Sequence, residues 1–242
     1  MNEEKPMYDP REIVEILQRA GDIAQESYLQ VSASWKENRT YVTEADLKVQ
    51  EYLKGEFDRR FPDDGIIAEE NDLRKPPKSG DRFWIIDPID GTASFVAGLP
   101  VWGTAIGLIE HNKPLAGFFY LPAAGDLFYT QPEGRVMRNG KAVRLKDPGE
   151  FHPETALLAL SRLHRHFTID AQFPGKLRSL GSSVAHLCYL AAGCADGAFL
   201  WNVHLWDIAA GLAMLANNGG VIRGLGGRRF ALAGLLDGEQ QA

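Results

Sequence analysis

Apolar runs in this chain stop repeatedly at a carboxylate, and that pattern restricts how it can fold. Trp84-Ile85-Ile86 ends at Asp87-Pro88-Ile89-Asp90-Gly91-Thr92, and Ile66-Ile67-Ala68 ends at Glu69-Glu70. Further on, Trp206 precedes Asp207-Ile208-Ala209-Ala210-Gly211. A compact fold could gather Glu69, Asp87, Asp90 and Asp207 at one edge of its sheets. Several carboxylates in one pocket repel unless cations sit between them, and oxygen-only ligand sets select hard ions such as Mg²⁺. Gly91-Thr92 adds backbone amides and a hydroxyl beside the acids, which completes what a phosphate group needs.

With 242 residues the chain can bury a large core, as one compact unit or two intimately packed lobes. Its net charge of −6 argues against a nucleic-acid or anionic-membrane binder, because such partners reward clustered Lys and Arg. Short basic patches at 162–166 and 228–229 read as solvated surface. The N-terminus is polar and acidic with no signal-peptide core behind it, and no apolar run approaches the ~20 residues that span a bilayer. Cys188 and Cys194 sit in one apolar stretch and read as buried free thiols, which suits a reducing cytoplasm.

Residues 11–30 place Ile13, Val14, Ile16, Leu17, Ala20, Ile23, Ala24 and Tyr28 at helical spacing. A second helix is predicted from about Ala45 to Arg60, with Thr43 as its N-cap and Asp46 in its first turn. The polar 35–40 segment reads as a mobile loop. From Ile66 the chain turns β-rich. Short strands end at Glu69 and Asp87, neighbouring strands run over 103–109 and 116–120, and Asn112-Lys113-Pro114 is their expected turn. Residues 72–81 read as a surface loop, and Asn139-Gly140 as a hairpin turn. After about 150 the pattern becomes strand, helix, strand, helix. A buried strand is expected over 156–160, a helix capped by Ser182 through Ala192, and a strand over 197–200. Asp207 is expected to open a helix that ends near Asn218-Gly219-Gly220. Residues 221–222 and 230–232 read as a closing hairpin, with Gly224 to Gly227 as its turn rather than a dinucleotide loop. The expected architecture is an α+β lobe over 1–150 followed by an α/β lobe over 151–242, packed as alternating helix and sheet layers in one unit.

Each motif has an ordinary reading. Asp-Pro and Asp-Gly are turn signals, Asp207 suits an N-cap, Glu69-Glu70 suits a solvated pair, and Asp46 suits a cap region. His164 and His166 lack a third metal-ligating partner in sequence and read as a surface loop. Yet two acids three residues apart, before Gly-Thr, suit a metal pair, with the Ile89 carbonyl as an extra ligand. The amides of Gly91 and Thr92 would then open a short helix onto phosphate.

Taken jointly and in order, Glu69-Glu70 after a strand, Asp87-Pro88-Ile89-Asp90-Gly91-Thr92 and Trp206-Asp207-Ile208-Ala209-Ala210-Gly211 resemble the inositol monophosphatase family of metal-dependent phosphatases. That family also includes phosphonucleotide and some fructose bisphosphate phosphatases. The resemblance spans roughly Ile13 to Leu232 and implies a layered αβαβα sandwich and a Mg²⁺-dependent, lithium-sensitive phosphomonoesterase. By position it implies Glu69, Asp87 and the Ile89 carbonyl as ligands of one ion, and Asp87, Asp90 and Asp207 as ligands of a second. It implies that Asp46 and Thr92 polarise the attacking water, with Glu69 assisting, and that Gly91, Thr92 and Ala93 bind phosphate through backbone amides. Gly181-Ser182-Ser183 matches a leaving-group loop, and Lys36 a loop residue near the metals. A homodimer acting on a small phosphorylated metabolite is the implied setting.

Two departures stand out. Inositol-specific members carry a glutamate seven residues before the motif aspartate, where this chain has Leu200. An aliphatic there removes charged hydrogen bonds worth ~1.5–3 kcal/mol each, so a specificity of the bisphosphate nucleotidase or fructose bisphosphatase kind competes with inositol phosphate. Ser161-Arg162 leans the same way. The C-terminal tail is also shorter than the family's usual one. The rival of another class is an inactive regulatory or scaffold homologue, which would release no phosphate from any ester.

Overall fold

In the computed structural model, residues 8–30, 34–35, 41–147, 149–228 and 230–236 are described. The chain opens with helix α1 (Pro10–Gln25), capped by Asp9, whose carboxylate accepts the Arg11 amide. It stops at Gln25, so Tyr28, expected within the helical run, lies instead in the turn beyond the helix. A two-stranded ribbon of β1 (Ser34–Trp35) and β2 (Tyr41–Val42) leads into α2 (Glu44–Arg60). Thr43 caps α2 as expected, and with Asp46 at the third helical position the two form a reciprocal capping box.

Strands β3 (Gly65–Ala68), β4 (Leu73–Lys75), β5 (Phe83–Asp90), β6 (Gly103–Glu110), β7 (Lys113–Leu121), β8 (Asp126–Thr130), β9 (Val136–Arg138) and β10 (Lys141–Ala142) form one sheet, in the order β10-β9-β8-β7-β6-β5-β3-β4. Only β3 and β5 run parallel, so their carboxyl ends lie side by side. Between β5 and β6 comes the short helix α3 (Thr92–Val96). The expected 72–81 loop is in part the edge strand β4, which borrows its backbone partners from β3. The β6–β7 turn falls on His111-Asn112, both at positive φ (51° and 56°), the geometry that twists a tight hairpin correctly. Lys113 and Pro114 therefore belong to β7. The Asn139-Gly140 hairpin forms as expected, with both residues at positive φ.

The second sheet holds β11 (Ala156–Ala159), β12 (Lys176–Arg178) and β13 (Gly197–Phe199) in the order β12-β11-β13, all parallel. Between the sheets lie α4 (Ser183–Ala191) and α5 (Ala209–Asn217). α5 stops at Asn218-Gly219 as expected, with Gly219 at φ +78°. The closing hairpin does not form. Residues 225–227 make a 3-10 turn, with the Gly224 amide on the Arg228 carbonyl at 2.9 Å, and α6 (Ala233–Leu236) follows.

Side chains alternate across the large sheet and build two apolar layers. Ile66, Trp84, Ile86 and Phe118 pack with α1 and α2. Ile67, Ile85, Ala105 and Phe119 pack with α4 and α5. The result is helix pair, sheet, helix pair, sheet, a layered α/β sandwich in the order of the αβαβα arrangement the resemblance implied, with a 3-10 turn on the outer face of the second sheet among the described residues. Beyond the second sheet, Phe167, just after a 3-10 turn at Leu163–Arg165, packs on Phe199. Cys188 is buried and Cys194 is exposed, both free, so the paired burial expected of them holds for one only.

One contact positions the site more than any other. Gly107 and Gly117 face each other across β6 and β7. A Cβ on Gly117 would stand 2.0 Å from the Ala210 carbonyl oxygen, and one on Gly107 would stand 2.6 Å from Ala209 Cβ. This bare patch lets the start of α5 lie directly on the sheet, which brings Asp207 to the ends of the strands.

Candidate active site

The acids converge through the strand geometry. Residues three apart on a regular strand face opposite sides. Here β5 takes three steps from Asp87 to Asp90 while β6 takes two, from Ala105 to Gly103. That extra residue is a bulge, and it brings both carboxylates to the side of α4 and α5. Asp87 and Asp90 are almost fully buried. One oxygen from each of Asp87, Asp90 and Asp207 lies within 4.8 Å of the others.

Glu69 follows β3, where its amide donates to the Ile86 carbonyl at 3.2 Å and so sits beside the end of β5. Gln50 fixes the next residue, donating to the Glu70 carbonyl and accepting the Glu70 amide, both at 2.8 Å. Glu70 is therefore buried, not part of a solvated pair. Asp207 does not cap α5, whose cap position is Ile208. Its Oδ2 instead accepts the His204 amide at 2.6 Å, which closes a turn ahead of the helix.

The electrostatics fit cations. Burial drives the Asp87 carboxyl well above the usual carboxylate range, and the charges of Glu69, Asp90, Asp207 and Asp46 add to it. Burial also raises Asp90, to about 6, against the opposing pull of the Ser182 hydroxyl and the Val184 and Ser183 amides. Asp87 Oδ1 is buried without a hydrogen-bond partner. A buried carboxylate oxygen lacking a donor, among like charges, is a costly arrangement that a divalent cation relieves. Oxygen donors alone make the set fit Mg²⁺ rather than zinc or copper.

Beside the acids stands a second group. Asp46 is fully buried. Its Oδ2 accepts the Thr43 amide at 2.8 Å and the Thr43 hydroxyl at 2.6 Å, so the cap that starts α2 also fixes this carboxylate. Its other oxygen lies 3.5 Å from Thr92 Oγ1, whose one hydroxyl proton can go either to that carboxylate or to the Ile89 carbonyl at 3.1 Å. Gly91, at φ +87°, turns the chain into α3, and the Ser94 and Phe95 amides close on its carbonyl at 2.8 and 3.0 Å. The Thr92 and Ala93 amides stand earlier in that turn, where a helix has no carbonyl of its own to offer.

Gly181-Ser182, at the start of α4, meets this region from the far part of the chain. Ser182 donates its hydroxyl to Asp90 Oδ2 and accepts the Ala185 amide at 2.9 Å, so it is both the α4 cap and a partner of a candidate metal ligand. The Ser183 and Val184 amides reach the same carboxylate at 3.1 and 2.9 Å. Nothing in the local sequence announces this, because the partners are 92 to 94 residues apart. Behind the loop, His186 is buried and accepts the Leu180 amide on Nε2 at 2.9 Å, and burial depresses its pKa to about 4.

The remaining expectations divide. Leu200 lines an apolar cavity of about 390 Å³ with Leu187, Ile208, Leu212 and Phe230, facing the core rather than a polar pocket. Trp201 packs against Phe167 and His166. Lys36 and the rest of 36–40 lie outside the described residues. No helix among the described residues is long and apolar enough to cross a membrane.

Known proteins resemble this chain in sequence and in fold. The family model described as "Inositol monophosphatase family" matches residues 9–238. A histidinol-phosphatase of Chlorobaculum parvum is 31% identical over 239 residues, covering 93% of this chain and 88% of that protein. A fructose-1,6-bisphosphatase/inositol-1-monophosphatase of Thermotoga maritima is 30% identical over 194 residues, covering 77% and 72%. Among solved structures, the extragenic suppressor protein suhB of Bartonella henselae superposes with a TM-score of 0.81 at 26% identity, covering 90% of this chain and 88% of that one.

Proposed function

The chain belongs to the inositol monophosphatase family, and from that premise we propose that it hydrolyses a small phosphomonoester with Mg²⁺ held by Glu69, Asp87, Asp90, Asp207 and the Ile89 carbonyl. The observation that carries this reading is the buried, unpartnered Asp87 Oδ1 among other carboxylates. When bound, Mg²⁺ neutralises the phosphate and lowers the pKa of the attacking water. The chain's own residues supply the rest. The Thr92 and Ala93 amides receive phosphate oxygens, helped by the positive end of the α3 turn. The Thr92 hydroxyl, held between Ile89 and Asp46, orients the water on its free lone pair. With the Thr92 hydroxyl proton turned to Asp46 rather than to the Ile89 carbonyl, Asp46 accepts a proton through Thr92, and the Thr43 amide and hydroxyl hold its carboxylate in place for that purpose. In-line displacement then needs no covalent intermediate.

The test is phosphate release from a panel of small esters. Release should require Mg²⁺ and stop in excess EDTA, and Asp46→Asn and Thr92→Ala should each lose most of kcat. Full activity in EDTA would end the metal assignment, and no release from any ester would favour a homologue that kept the fold without the activity.

A further inference from the structure

His186 is a polar group in an apolar place. It lies on α4 in a run of buried residues, Val184, Ala185, Leu187 and Cys188, and is itself fully buried. Its Nε2 accepts the Leu180 amide at 2.9 Å, six residues back along the chain. An imidazole nitrogen that accepts carries no proton, so the neutral ring holds its hydrogen on Nδ1. Among the described residues that Nδ1 is buried without a hydrogen-bond partner. An unmet buried donor is costly, and an apolar side chain of similar volume would avoid the cost. What the ring supplies that an apolar side chain cannot is the acceptor for Leu180.

That bond anchors a segment with two neighbours in the candidate site. β12 ends at Arg178 and α4 begins at Ser183, so residues 180–182 belong to neither. The Gly181 carbonyl accepts the Ser94 hydroxyl at 3.4 Å, and Ser94 belongs to α3, the turn that offers the Thr92 and Ala93 amides. Gly181 and Gly91 pack backbone to backbone, both at positive φ (91° and 87°). A Cβ on Gly91 would stand 3.0 Å from the Gly181 carbonyl oxygen and 3.2 Å from Ser182 Cβ, and one on Gly181 would collide with Ser94 Oγ. Next in the chain, the Ser182 hydroxyl and the Ser183 and Val184 amides hold Asp90. The loop thus meets the phosphate turn on one side and a candidate metal ligand on the other, with little slack between them.

We propose that His186 is a positioning residue for this site: its Nε2 fixes Leu180, and through Gly181 and Ser182 that bond sets the spacing between the α3 phosphate turn and Asp90. The inference rests on the phosphatase reading above and adds to it a residue that acts from behind the site. A loop freed at Leu180 would misdirect Asp90 and the α3 amides together, so Mg²⁺ binding and turnover should fall together.

The experiment compares His186→Gln, whose amide oxygen can take the place of Nε2, with His186→Leu, which fills the space and accepts nothing. Calorimetric titration reads Mg²⁺ affinity. Phosphate release from an ester that the wild type hydrolyses reads kcat and KM, at neutral pH and well below each melting temperature. His186→Leu should bind Mg²⁺ about tenfold more weakly and lose about tenfold or more in kcat, while His186→Gln stays within about threefold of wild type in both. Nitrogen NMR of the wild-type ring should show a neutral imidazole protonated on Nδ1. A ring protonated on Nε2, a His186→Leu variant with wild-type Mg²⁺ affinity and kcat, or a His186→Gln variant as impaired as His186→Leu would overturn the proposal. Where His186→Leu fails to fold, His186→Met, which keeps the volume with a poor acceptor, is held to the same outcomes. An unimpaired His186→Leu beside an active wild type would remove this inference alone, whereas no hydrolysis of any ester by the wild type would remove the phosphatase reading with it.

Discussion

Ser182 donates a hydrogen bond from its hydroxyl to Asp90 across 92 residues of chain, and in the same position it caps α4 through the Ala185 amide. One side chain thus ties the first turn of a helix to a carboxylate of the acidic cluster. Ser182→Ala should cost about 1 kcal/mol as a lost cap. It should also weaken Mg²⁺ binding by about tenfold, since groups that orient metal ligands carry that weight. Calorimetric titration of Mg²⁺ checks this, and Ser182→Thr should restore both properties. A lower melting temperature with an unchanged Mg²⁺ affinity would reduce Ser182 to a cap.

Ionising Asp87 is costly in the metal-free protein, because burial and its acidic neighbours both oppose the charge. Asp87→Asn should therefore melt at or above the wild-type temperature in EDTA while losing at least about 100-fold in turnover, the usual trade between stability and function. Mg²⁺ should stabilise the wild type far more than the variant. A variant that melts lower in EDTA would contradict the electrostatic account.

Two buried groups give pH dependences of opposite sign. Asp90 titrates near 6 in the fold against 3.8 when free, so its proton-bound form stabilises the metal-free protein. That stability is complete below about pH 3.8 and lost as pH rises through 6, and Mg²⁺ binding should release protons in that window. His186 titrates near 4 against 6.5, so its neutral form stabilises the fold above 6.5 and the benefit is lost as pH falls toward 4. His186→Gln can still accept the Leu180 amide but cannot ionise, and should remove on the order of 2–3 kcal/mol of acid sensitivity. Urea unfolding between about pH 4.5 and 7.5, with and without Mg²⁺, measures both. Identical acid sensitivity in wild type and His186→Gln would rule out the histidine.

The glycine seat under α5 predicts a long-range effect on chemistry. Gly117→Ala puts a methyl 2.0 Å from the Ala210 oxygen, so α5 must lift and carry Asp207 with it. A loss of about 1–3 kcal/mol is expected from overpacking, together with a fall in kcat and in Mg²⁺ affinity. Gly55→Ala, in α2 with open space around it, is the control and should stabilise slightly. Normal Mg²⁺ affinity in Gly117→Ala would separate the seat from the site.

Legibility followed the range of the interaction. Helix α2 and its Thr43–Asp46 box, the α4 cap at Ser182 and the Asn139-Gly140 hairpin all lie within four residues of chain, and the sequence carries them. The misplaced elements are those whose partners are distant. β4 looks like a loop because its backbone bonds are supplied by β3, and the closing hairpin fails although its apolar residues alternate with turn signals. Cys194 sits in an apolar stretch yet is exposed at the chain turn before β13.

Residue types and their local spacing determined the chemistry, namely several carboxylates, a Gly-Thr turn and a capped aspartate, which together call for a hard cation and a phosphate. Tertiary structure alone decided that these groups share one place. The β5 bulge turns Asp87 and Asp90 to the same side, Gly107 and Gly117 let α5 deliver Asp207, and α4 sets its first amides and Ser182 on Asp90. Leu200, which occupies the position of an inositol-binding acid, turned instead toward the apolar core. The division has a physical reason. A period or a cap is fixed by neighbours along the chain, whereas which face a carboxylate meets depends on packing between segments far apart in sequence, as Asp87 and Asp207 are.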